Sequence, residues 1–210
     1  MGGMTELPGL SVRPAAGRAR AVVLVLPGGQ ESSRAPGSPR QMAALRMHPF
    51  AAGLHRAGRD LGLAAWLICY RYRGWNGEQA SPLPDIGWAL GEVRRRHGDV
   101  PVALLGHSMG GRAALRMGGD RSVRAVAAFA PWLPAGEPAG QLAGRRVLIA
   151  HGSLDRVTSP GASRSYAQLA RAAGAEVSWH EVAWDTHAML LRYRTWQRLA
   201  IRFTLGALAG

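Results

Sequence analysis

The chain contains short apolar runs in which hydrophobic residues do not alternate with polar ones. Ala21-Val22-Val23-Leu24-Val25-Leu26 is the clearest. A strand with one wet face alternates in polarity. A continuous run instead needs apolar cover on both faces, which a parallel sheet with helices on each side provides. Residues 63–70, 102–105, 123–130 and 146–150 read the same way, and residues 176–182 read as a last strand. Between them lie helical patterns. Phe50, Leu54, Ala57 and Leu61 recur at helical spacing, so a helix is expected over 47–61, starting near Pro49. Ile86, Leu90 and Val93 predict a helix over 85–97, with Asp85 favouring its start. Others are expected over 112–117 and 163–173, and a closing helix over 190–208 turns Leu191, Tyr193, Trp196, Leu199, Ala200 and Phe203 inward.

Strand and helix alternate about six times, which predicts an α/β class chain with a mostly parallel central sheet and helices on both faces. At 210 residues it is expected to form one domain over 1–210, with 1–17 as a loose lead-in carrying at most an edge strand near 10–13. Ligands of such sheets bind beyond the carboxyl ends of the strands.

The third run leads into Gly106-His107-Ser108-Met109-Gly110, and a helical pattern follows at once. A turn this sharp holds its central residue in a strained conformation while strand and helix pass close by. Glycines at 106 and 110 permit that approach. Ser108 then stands at the tip with a free hydroxyl, and the Met109 N–H at the new helix's start faces any oxyanion forming there.

This strand–G-x-S-x-G–helix unit resembles the nucleophile elbow of the α/β-hydrolase superfamily. The resemblance runs over nearly the whole chain, with the N-terminal strands missing or reduced to one. About 15 residues separate two strands where many members insert a lid, so an open site is expected, shaped by loops 31–47, 71–84 and 131–141. The resemblance implies Ser108 as nucleophile, Asp155 as acid and His187 as base, in the family's Ser…Asp…His order. Asp185, two residues before His187, competes as the acid; its other reading is a loop-capping residue. Arg156 must turn away from Asp155. His107 is expected to pack below the elbow, and His151 ends a strand ahead of the expected base position. Leu26-Pro27-Gly28-Gly29-Gln30 resembles the family's oxyanion loop, which implies Gly29 as the partner of Met109, with Gln30 the near alternative. Gln30, Trp75 and Trp132 are the expected substrate contacts, and Trp75, Trp132 and Trp184 are candidate walls of an apolar acyl pocket or, equally, loop anchors.

Hydrolysis of a carboxylic ester or thioester through an acyl-enzyme is the implied reaction, on a small-molecule acyl substrate. A non-catalytic binding protein on the same fold, and an acyltransferase using the same triad, are the alternatives. No metal-ligand spacing, P-loop or dinucleotide fingerprint occurs, so no cofactor and no metal are expected.

The formal charge of +13 would suggest nucleic acid or an acidic surface. All 26 basic residues are arginine and lysine is absent, however, a pattern that reads as the coding bias of a GC-rich genome. The arginines are scattered and no nucleic-acid motif accompanies them, so no specific nucleic-acid partner is expected. Cys69 is alone, no membrane-span-length apolar stretch occurs, and residues 1–14 lack secretory features, so a cytoplasmic location is expected. Nothing in the sequence indicates an oligomeric state.

Overall fold

The computed structural model describes residues 7–209. Along the chain come β1 (Gly9–Arg13), β2 (Ala21–Leu26), α1 (Met42–Ala57), β3 (Leu63–Cys69), α2 (Pro82–His97) and β4 (Val102–His107). They are followed by α3 (Met109–Met117), β5 (Val123–Phe129), β6 (Arg146–Gly152), α4 (Pro160–Ala172), β7 (Glu176–Val182) and α5 (Tyr193–Leu208). The seven strands form one sheet in the order β1-β3-β2-β4-β5-β6-β7. All neighbours are parallel except β1, which runs antiparallel to β3 with Gly9 opposite Cys69 and Arg13 opposite Ala65.

The continuous apolar runs have the cause anticipated for them. Val22, Leu24 and Leu26 point into a core shared with α2, α3 and α4, while Ala21, Val23 and Val25 point into a second core under α1 and α5. Each successive side chain on β2 is therefore buried, on opposite faces.

The edge strand expected near 10–13 is β1, which borders β3; residues 1–6 lie outside the described residues. Two expectations need correction. Helix α1 starts at Met42, so Pro49 lies inside it rather than at its start. Pro49 lacks the N–H that would bond to Leu45, and the helix tolerates the loss because Ala44, Met47, Phe50, Ala51 and Leu54 bury one stripe on both sides of it. Ala57 and Leu61, expected on that stripe, are exposed. Finally, α5 starts at Tyr193, leaving Leu190 and Leu191 in an exposed loop. Its buried stripe is Trp196, Ala200 and Thr204.

The carboxyl ends of β2, β4, β6 and β7 lie along one edge of the sheet. Gly28, Ser108, Asp155 and His187 follow those ends.

Candidate active site

Ser108 joins β4 to α3 with φ +56° and ψ −120°, a conformation that side chains rarely adopt. Three backbone hydrogen bonds hold it there. Its N–H donates to the Phe129 carbonyl at 3.0 Å, and its carbonyl accepts from Trp132 N and Arg112 N, each at 3.1 Å. The flanking glycines are required by contact. A Cβ on Gly106 would collide with the Gly110 carbonyl, and a Cβ on Gly110 would collide with the Leu26 and Pro27 carbonyls. The elbow is thus seated directly on the end of β2. Gly29 is equally confined, by the Arg73 carbonyl and the Met109 side chain. The N–H groups of Met109 and Gly29 bond to no protein acceptor among the described residues. The Gln30 N–H, in contrast, is engaged, donating to the Arg73 carbonyl at 2.9 Å.

Asp155 follows β6 and has a buried carboxylate. Oδ2 accepts from His187 Nδ1 at 2.7 Å, from His151 Nε2 at 3.0 Å and from Thr158 Oγ1 at 2.9 Å. Oδ1 accepts from the backbone N–H of Val157 at 2.7 Å and of Thr158 at 3.0 Å. Burial alone would raise this carboxyl's pKa, but the hydrogen bonds from His151, His187, Thr158 and Val157 outweigh it and hold the group well below the usual carboxylate range. Arg156 is exposed and makes no ion pair with Asp155.

With Asp155 ionised, His187 Nδ1 carries the proton and Nε2 the lone pair. His187 is only partly buried, with a side-chain exposure of 14%. Its backbone carbonyl accepts from His107 Nε2 at 3.0 Å, and the two rings lie 4.7 Å apart. Burial, and secondly the nearby His187, lower the His107 pKa to about 3, so this ring is neutral. No hydrogen bond joins Ser108 to His187 among the described residues. Both sides meet at Ala130, whose carbonyl lies 3.2 Å from Thr158 Oγ1, just beyond the Phe129 carbonyl that fixes Ser108.

The Asp185 carboxylate makes no hydrogen bond to the His187 ring among the described residues. It is fully buried and accepts from Thr186 N, Arg192 N and Trp196 Nε1 at 2.7–2.8 Å and from Leu191 N at 3.3 Å. It caps the loop that carries His187.

Trp75, Trp132, Arg112 and Arg116 border a cleft of about 830 Å³ together with Glu31 and Glu78. The apolar pocket expected of the tryptophans is therefore a mixed, charged cleft. Trp75 is almost wholly buried. The Arg112 guanidinium lies 3.7 Å from its ring centroid and 4.6 Å from that of Trp132, and is ion-paired with the buried Glu137. Gln30 is exposed and borders no part of this cleft; Glu31 and Ser32 occupy that edge. Trp184 stands apart on the His187 loop, 67% exposed. Of the loops expected to shape the site, 30–36 and 71–76 are tied together through Gln30–Gly74 and Pro36–Tyr72 bridges and by Asn76 bonding to Ser33. Residues 42–47 belong instead to α1.

Two groups at the site carry no motif in the sequence. His151 ends a strand ahead of the expected base position, yet it shares the Asp155 oxygen with His187, and its four-residue spacing from Asp155 across the glycine turn is the signal the sequence offers. Arg112 lies within a helical pattern, and nothing local marks its place between two indoles.

No protein-family model and no curated protein matches this sequence. Solved structures do. The chain is similar to Est1E from Butyrivibrio proteoclasticus, a structure with ferulic acid bound, over 97% of this chain and 96% of that one, with a TM-score of 0.72 at 12% identity. It is similar to an α/β serine hydrolase without a lid from Xanthomonas campestris, with a TM-score of 0.62 at 18% identity over 93% and 88% of the two chains. Esterase 2 from Thermogutta terrifontis, phosphonylated by cyclosarin, gives a TM-score of 0.69 at 19% identity over 97% and 91%. The chain has the α/β-hydrolase fold, with β1 as an antiparallel edge strand ahead of the parallel set. Between β5 and β6 the backbone forms only a short turn of 3-10 helix at Gly140–Leu142, so no lid is inserted there.

Proposed function

We infer that this chain is a cofactor-independent serine hydrolase acting on carboxylic esters or thioesters. The observation that carries this reading is the 2.7 Å bond from His187 Nδ1 to an ionised, buried Asp155, on the sheet edge where Ser108 stands in a strained turn. In the proposed mechanism His187 Nε2 takes the Ser108 proton as Oγ attacks the acyl carbon. The Met109 and Gly29 N–H groups hold the oxyanion. The C–O or C–S bond to the leaving group breaks as His187 returns the proton to it. Water, activated by the same nitrogen, then releases the acid and frees Ser108. A small rotation of Ser108 or His187 must complete their hydrogen bond, as is common in unliganded sites. Asp155 orients His187 and stabilises its charged form. The N–H donors to its carboxylate keep it ionised. Burial lowers the basicity of His107, so that this ring stays neutral beside His187. An open, lid-less site suits substrates that reach it directly.

Labelling with a fluorophosphonate tests this without knowledge of the substrate. The wild type is expected to gain one adduct, mapped to Ser108, and Ser108→Ala none. Ser108→Ala is expected to lower turnover by roughly 10⁶-fold. A folded wild type that takes no label, or takes it at another residue, overturns the reading.

A further inference from the structure

The two loops that hold Asp155 and His187 run side by side. Leu154 N donates to the Asp185 carbonyl at 2.9 Å, and Trp184 N donates to Ser153 Oγ at 2.9 Å. Their outer surface is unlike the rest of the chain. Leu154, Val157, Trp184, Leu190 and Leu191 are all exposed, four of them by 66–73%. Trp184 is moreover held at φ +61°, a conformation that costs free energy and turns a large apolar ring outward. Monomeric proteins seldom group large apolar side chains this way without a partner.

The charge on the same loops is one-sided. Arg156, Arg192 and Arg194 are exposed and form no ion pair among the described residues. The acids of residues 153–158 and 183–194 are Asp155 and Asp185, and both are buried within hydrogen-bond networks. No exposed carboxylate within these segments balances the arginines, and Glu181, just before them, is paired with Arg164 at 3.3 Å. Leu154, Arg156, Val157, His187 and Ala188 also border an open groove of about 450 Å³ that leads to the His187 ring.

We propose that this rim docks onto an anionic lipid surface and that the groove beside His187 receives an acyl ester drawn from it. Aliphatic side chains and an exposed tryptophan suit the acyl–headgroup boundary, and unpaired arginines suit anionic headgroups. A neutral protein partner would leave those cations unanswered. The substrate part of this proposal rests on the hydrolase reading; the docking part does not.

Flotation of the full chain with phosphatidylcholine vesicles containing about a third phosphatidylglycerol tests it. At low salt the wild type is expected to float with them, and to bind pure phosphatidylcholine at least about ten-fold more weakly. The double variant Arg156→Gln/Arg192→Gln is expected to lose about five-fold in binding per arginine removed, and Leu191→Gln a further several-fold. Vesicles should shift the tryptophan emission of the wild type to the blue. Trp184→Phe should keep binding but lose most of that shift. The proposal falls if the wild type stays out of the lipid fraction. It also falls if the arginine substitutions change nothing, or if lipid-free protein forms a dimer that already buries Trp184. A chain that floats but takes no fluorophosphonate retains the docking surface and removes the hydrolase reading. One that is labelled but does not float does the reverse.

Discussion

Asp155 and Asp185 are both buried, both follow strand ends, and both collect several hydrogen bonds, yet they are surrounded by different donors. Asp155 is approached by two imidazoles and a hydroxyl as well as by backbone. Asp185 is approached by backbone N–H groups and an indole. Backbone and indole donors stay protonated and fixed at any physiological pH, so a carboxylate held by them is a structural knot. An imidazole can gain or lose charge, so a carboxylate facing it is coupled to a proton. The difference between a scaffold acid and a candidate catalytic acid is thus read from the donors, since burial is shared by both.

That comparison is open to direct attack. The largest expected effect is Asp155→Asn, which should lower turnover by about 10⁴-fold while the fold persists, because Asn can force the wrong tautomer on His187. Asp185→Asn should leave the turnover of the remaining folded protein within about ten-fold, but cost about 3 kcal/mol of stability in urea unfolding, as a buried charged acceptor is lost. A reversed pattern, with Asp185→Asn crippling and Asp155→Asn nearly silent, would exchange their roles.

A smaller effect is expected at His151. Its Nε2–H shares Asp155 Oδ2 with His187, and its Nδ1 accepts from Ser163 Oγ at 2.8 Å. His151→Phe removes a donor that draws carboxylate charge away from His187. The acidic limb of kcat/KM should then move up by about one pH unit. His151→Gln, which restores an N–H, should move it back; equal limbs in both variants would make His151 mere packing.

The smallest effect is a slope in stability. The His107 pKa is lowered to about 3 in the folded chain, against an ordinary value of about 6.5 when unfolded. Between those values the unfolded chain binds a proton that the folded chain refuses. Stability must therefore fall as pH drops through that window, by at most about 1.4 kcal/mol per unit. The paired Asp155 loses its contribution only below about pH 4, so urea midpoints at about pH 6.5 and 4.5 report His107 together with His97, whose pKa burial and then Arg96 also lower. His107→Gln should shrink the difference, and the part it removes is the share of His107.

The sheet was legible because each strand from β2 to β6 carries a continuous apolar stretch, even where the exposed Arg124 precedes it in β5, and the 176–182 strand matches β7 residue for residue. The elbow was legible because its glycines answer a local clash. Helix starts were less so. Pro49 carries the same local signal at a first turn as in an interior, and the stripe of Ala44 and Met47 preceding it decided the matter. Leu191 belongs to a helical spacing that Asp185 interrupts by capping the loop backbone. His151 and Arg112 were not legible, since the first meets Asp155 only through the shape of a turn and the second meets indoles from separate loops. An imidazole's contact with a carboxylate around a turn, and a guanidinium's place between two indoles from separate loops, leave no periodic trace in one sequence.

The seating of the elbow on β2 has a genetic consequence. Glycine codons change by one base to alanine, serine, valine, aspartate, arginine, cysteine and the like, and each of these adds the carbon that Gly106 and Gly110 have no room for. No missense change at these codons is a mild one. The two positions should appear in a saturation screen as all-or-nothing sites, while the exposed, unconfined Gly136 and Gly140 a short distance along the same gene accept nearby alternatives according to their own backbone angles.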